Sequence, residues 1–93
     1  MHDRQLRRFR EAVRLGAYYL TYHGLDEMEQ DRLSVLDLES CVLTGSIGER
    51  QRDRRTHEWK YVIEGQALLG AEIAVVVKWL PLARMAVLTT YRI

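Results

Sequence analysis

The chain has 93 residues, enough for one hydrophobic core and too few for two, and its 47% hydrophobic and 29% charged content excludes a disordered polymer. Fourteen basic and 13 acidic residues leave a net charge of +1, which hides a strong segregation of charge along the chain. No apolar run approaches the ~20 residues that cross a bilayer, and residues 1–14 are charged where a secretory leader would be apolar, so no membrane association and a cytoplasmic location are expected.

In chain order, Leu6, Phe9 and Val13 recur at helical spacing among arginines, which predicts an amphipathic helix over 3–15 ended by Gly16. The aromatic and β-favouring residues 18–22 predict a short strand, with a short helix after His23 that sets Leu25 and Met28 on one face. Ser34 followed three residues later by Asp37 has the form of a capping box, and Val35, Leu38 and Val42 continue the helix to Gly45, which can close it in the left-handed conformation. Cys41, the lone cysteine, lies among Leu38, Val42 and Leu43 as a small buried hydrophobe. It is assigned no chemistry and fits a reducing compartment.

Strands follow: a weak one over 47–52, a better one over 59–63, and β-branched, apolar ones over 72–79 and 84–91. Gly65 and Gly70 bracket a turn, and Pro81 fixes φ where the last two strands reverse. Helices first and then an antiparallel meander give an α+β domain, with helices on one face of a four- to five-stranded, mainly antiparallel sheet. Residues 1–93 form one domain, in which 1–16 is an additional amphipathic helix and 18–93 the core.

Only two of the 14 basic residues are lysines, Lys60 and Lys78. Arginine's donor fork suits phosphate and carboxylate better than a lysine point charge does. Arg4, Arg7, Arg8, Arg10 and Arg14 form one group, and Arg50, Arg52, Arg54 and Arg55 another. Between them lies an acidic stretch, Asp26, Glu27, Glu29, Asp31, Asp37 and Glu39, that nucleic acid should avoid.

There is no glycine-rich phosphate loop, no paired Cys-x-x-Cys and no His-Glu-x-x-His, and His2, His23 and His57 are far apart, so no cofactor and no metal are expected. What remains is a polar set at predicted strand ends: His23, Arg50, Arg52, Arg54, Arg55, His57, Lys60 and Tyr91. Histidine can move a proton near neutrality, arginine or lysine can stabilise the extra charge of a phosphorane, and tyrosine can hold a ribose or stack on a base. These are the groups of metal-free RNA cleavage.

Each has a structural alternative. His23 can cap its helix, Tyr91 can be a core-edge aromatic, and the run from Glu49 to Arg55 can be a solvated hairpin. Lys60, between Trp59 and Tyr61, points away from those rings by strand alternation. Trp59 and Trp79 read as core residues rather than base platforms. The stripe on the first helix reads as a docking face for this domain or for a partner.

Tyr22-His23 with Met28, Leu33-Ser34, Trp59-Lys60-Tyr61-Val62 before Gly65, Ile73 to Val77, and Val87-Leu88-Thr89-Thr90-Tyr91 together resemble a small domain-of-unknown-function family, which itself resembles the RelE/ParE/BrnT toxin superfamily. The resemblance implies a compact RelE-like fold and a ribonuclease neutralised by an antitoxin protein, of the YgiT zinc-finger type in some members. It places the family histidine on His23, the basic residue before the tyrosine on Lys60, and the terminal tyrosine on Tyr91. Gly24 replaces a usual alanine, Glu27 a common arginine, and Asp31-Arg32 a frequent Arg-Gly. Glu27 beside His23 would repel phosphate.

The expected function is therefore that of a type II toxin, a metal-independent RNA endonuclease. His23 would act as acid or base, Lys60 with Arg52 or Arg54 would stabilise charge, and Tyr91 would orient the RNA. Arg50, Arg55 and His57 would add RNA contacts. The alternative is a noncatalytic protein-interaction or homodimerisation domain.

Overall fold

The computed structural model describes residues 2–93, which run α1 (Asp3–Leu15), β1 (Tyr18–Leu20), α2 (Tyr22–Gln30), α3 (Val35–Thr44), β2 (Ser46–Arg52), β3 (Trp59–Gln66), β4 (Glu72–Leu80), a 3-10 turn (Pro81–Ala83) and β5 (Arg84–Arg92). The class is α+β, as the sequence predicts. The strands form one sheet in the order β1-β5-β4-β3-β2. Three pairings are antiparallel, and β1 runs parallel to β5, with Tyr18 opposite Met85 and Leu20 opposite Val87.

The apolar stripe of α1 is consumed within the domain. Leu6, Phe9, Ala12 and Val13 are buried, and Phe9 stacks on Trp79 with ring centroids 4.5 Å apart while meeting Tyr61 edge-on. Gly16 closes the helix at φ 66°, in the left-handed region. Arg10 is not a free surface cation, because its guanidinium donates to the carbonyls of Val42 (3.1 Å) and Gly45 (2.8 Å) and ties α1 to the end of α3.

β1 stops at Leu20 because Thr21 caps α2. The Thr21 hydroxyl accepts from the Gly24 amide (2.9 Å) and donates to the Leu88 carbonyl (3.0 Å), which lays α2 along β5. Ser34 and Asp37 form the expected capping box on α3. Gly45, however, is extended (φ −92°) rather than left-handed. Its role, and that of Gly65 across from it, is close approach: a Cβ on Gly65 would lie 2.6 Å from the Cys41 carbonyl oxygen and 2.9 Å from the Gly45 Cα.

The core lies between the helices and the face of the sheet that carries Tyr61, Ile63, Ile73, Val75, Val77, Met85 and Val87. Near the middle of β5 the register with β4 shifts, from Val87 opposite Val77 to Thr89 opposite Val76. Leu88 is the extra residue, and the shift turns Thr90 inward opposite Val75. Among the described residues no helix is long and apolar enough to cross a membrane.

Candidate nucleic-acid interface

Strand alternation divides the candidate residues between the two faces of the sheet. Lys60 shares the helix-free face with Val62 and Glu64, and Glu64 pairs with Ala74, which pairs with Tyr91. Lys60 and Tyr91 therefore point the same way. They stand four positions apart along β4 and two strands apart across it, about 13 Å by 10 Å at ordinary strand spacings. No single phosphate reaches both.

Lys60 is also engaged, with its Nζ 3.8 Å from Asp53 Oδ2, and Lys78 on the same face is 3.4 Å from Glu58. His23 is the second residue of α2, so Thr21 and not His23 caps that helix. Its exposed ring places Nε2 3.3 Å from Glu27 Oε1. Among the described residues no hydrogen bond or ion pair links His23, Lys60 and Tyr91 to one another.

The β2–β3 connection is a closed turn. Asp53 accepts from the amides of Arg55 (2.9 Å) and Thr56 (3.0 Å), donates its own amide to the Glu58 carbonyl (2.8 Å), and accepts at its carbonyl from the His57 amide (2.8 Å). His57 takes φ 61°, in the left-handed region. The Thr56 and Arg55 amides, in that order, hold the Asp53 carboxyl below its ordinary value, with a smaller contribution from Lys60. Arg54 and Arg55 project from this turn into solvent.

The other face carries two of the candidate arginines, Arg50 and Arg52, beside rings that their hydrophobicity assigns to the core. Trp59 is 38% exposed instead of buried, and Arg50 and Arg52 lie over its ring with Cζ at 4.0 and 5.3 Å from the centroid. The two arginines are two positions apart on β2, so they share a face, and Arg52 pairs directly with Trp59. Trp79 lies on the same face, with Arg8 of α1 at 4.3 Å from its ring centroid and its indole N–H donating to Gln5 (2.8 Å). A cleft of about 220 Å³ opens there, lined by His57, Glu58, Trp59, Tyr61 and Trp79.

Arg50 and Arg52 thus belong to a cation–aromatic surface with Arg8, on the side of the sheet opposite Lys60 and Tyr91. Their spacing of two was a usable signal for a shared face in the sequence. The part played by Arg8, more than forty residues upstream, was not.

Much of the acidic stretch is structural. Asp31 accepts the Arg92 amide (2.9 Å), Asp37 accepts the amides of Ser34 (2.8 Å) and Leu68 (3.1 Å), and Glu39 accepts from the Tyr18 hydroxyl. Burial first, and then the Glu39 bond, raise the Tyr18 phenol above its ordinary value. Burial likewise pushes the Cys41 thiol up to about 12, with Glu64 adding to it, so the thiol is inert at neutral pH.

A larger concavity of about 490 Å³, lined by Thr44, Gly45, Ser46, Glu64, Gly65, Gln66, Glu72 and Ile93, contains none of the candidate residues. Among the described residues no group of three or more histidine, cysteine or carboxylate side chains is placed to hold a metal.

No curated protein and no solved structure matches this chain. A family model does match, over residues 20–92, which takes in Arg50, Arg52, Trp59 and Trp79 and leaves α1 with Arg8 outside. The chain belongs to the family described as Domain of unknown function (DUF4258).

Proposed function

We propose that this domain acts on RNA as the toxin of a toxin–antitoxin pair, in the manner of the RelE/ParE/BrnT proteins that its sequence resembles. The observation that supports it is the grouping of Arg8, Arg50 and Arg52 with Trp59 and Trp79 on one side of the sheet. Guanidinium groups supply phosphate contacts, and the part-exposed indole of Trp59 supplies a stacking surface for a base, whereas the Trp79 ring already carries Phe9 and Arg8. The partner in this reading is an antitoxin protein, of the YgiT zinc-finger type by resemblance.

Metal-independent cleavage, by attack of a ribose 2′-hydroxyl on the adjacent phosphate, would use His23 as acid or base, Lys60 for charge and Tyr91 for orientation. Lys60 and Tyr91 stand too far apart for one phosphate to touch both, so the grouped arginines and Trp59 support RNA binding and not the cleavage step. The same scatter favours a second reading, a noncatalytic interaction domain.

The test is incubation of the purified protein with a mixed RNA pool in EDTA, without and with ribosomes, beside a folded His23→Ala/Tyr91→Phe variant. Cleavage by the unaltered protein alone is the expected result for the toxin. RNA binding with no cleavage would leave a binding domain, and neither binding nor cleavage would leave the interaction reading in its place.

A further inference from the structure

The cleft between Trp59 and Trp79 carries the RNA reading further than a charged surface does. Two indoles and the Tyr61 and His57 side chains wall a concavity of about 220 Å³. Its flank carries Arg50 and Arg52, whose Cζ atoms lie 4.0 and 5.3 Å from the centroid of the outer ring. A guanidinium held over an indole by its charge keeps N–H donors free, so each arginine can hold a phosphate while staying beside Trp59. Glu58, which lines the cleft, is paired with Lys78 at 3.4 Å, and Asp53 of the adjoining turn with Lys60 at 3.8 Å, which reduces their repulsion of a phosphate. Arg54 and Arg55 extend the positive rim along the turn.

We infer that this cleft seats one unpaired nucleobase of single-stranded RNA, with Arg50 and Arg52 on the phosphates that flank it. The proposal rests on the RNA reading above and specifies its substrate class. A duplex buries the faces of its bases in the stack, and its deep groove does not admit a concave aromatic site, so the preference is for single strands. Stacking accepts any base, whereas the rim arginines give the salt dependence.

The experiment is fluorescence anisotropy with a short labelled oligouridylate, the same strand in duplex with oligoadenylate, and heparin as a polyanion without bases. The unaltered protein is expected to prefer the single strand and to lose tryptophan emission saturably as it binds. Trp59→Leu, which removes a partly exposed ring, is expected to weaken oligouridylate binding about 5- to 150-fold with the salt slope unchanged. Trp59→Phe is expected to recover part of that loss. Arg50→Gln/Arg52→Gln is expected to lower the salt slope by about 1.4, at about 0.7 per phosphate contact on a single strand.

Oligouridylate binding that Trp59→Leu leaves untouched, or that causes no tryptophan quenching, overturns the base seat while the RNA reading stands. Equal binding of heparin, duplex and single strand does the same. Absence of binding to all three removes both.

Discussion

Replacing Thr90 by valine should stabilise this protein. Thr90 is fully buried, faces the core opposite Val75, and its Oγ1 has no hydrogen-bond partner among the described residues. It sits there because the irregularity at Leu88 shifts β5 by one residue and turns Thr90 inward. A buried hydroxyl without a partner costs about 1–3 kcal/mol, and valine keeps the branched shape while removing that cost. For a domain of this size each kcal/mol moves the melting temperature by about 4–8 °C. Urea and thermal unfolding followed by circular dichroism would measure the difference. A loss of stability of about 1 kcal/mol or more in Thr90→Val would refute the reasoning, by showing that the hydroxyl is satisfied and that the shift in β5 exists to use it.

Gly65→Ala should cost about 1–3 kcal/mol or more, since its Cβ would meet backbone atoms of Cys41 and Gly45 that cannot rotate away; unchanged urea midpoints would show that α3 and β3 separate freely. Asp37 bears on pH. Its carboxyl is lowered chiefly by the Ser34 backbone amide, so its stabilisation is complete above the ordinary carboxyl value and is lost as pH falls through the lower folded value. Stability should therefore decline below about pH 4, and Asp37→Asn, less stable at neutral pH, should show a shallower decline in urea midpoints over that range. An identical acid slope in the variant would remove Asp37 from the account.

The parts of this fold that rest on neighbours in sequence were legible there. The 3–4 spacing of Leu6, Phe9 and Val13 set α1, the Ser34–Asp37 pair set the start of α3, and the β-branched runs set β4 and β5. What depends on distant partners was not. Nothing near Tyr18 announces a parallel pairing with Met85, and nothing near Gly45 announces that it exists to let Gly65 close in. The candidate site divides along the same line. Alternation correctly turned Lys60 away from Trp59, and Trp79 packs against the core on Phe9 as its hydrophobicity suggests, but Trp59 is part-exposed beside two arginines of the neighbouring strand. Hydrophobicity alone assigns both rings to the core, which holds for Trp79 and fails for Trp59. The acidic stretch misleads for a similar reason, since Asp31, Asp37 and Glu39 serve backbone and tyrosine groups that lie elsewhere in the sequence.

The parallel contact between β1 and β5 also orders events during synthesis. β5 is the strand that β1, β4 and α2 all lean on, so residues 18–30 have no sheet to join until residues 84–92 have left the ribosome. Long-range pairing of this kind delays folding until late in translation. The partners of α1, by contrast, are the end of α3, Tyr61 and Trp79, all of which precede β5, so Arg50 and Arg52 on Trp59 and Arg8 on Trp79 need no residue of β5. In a nascent chain the cation–aromatic surface therefore depends on residues made before the strand that β1 and α2 must wait for.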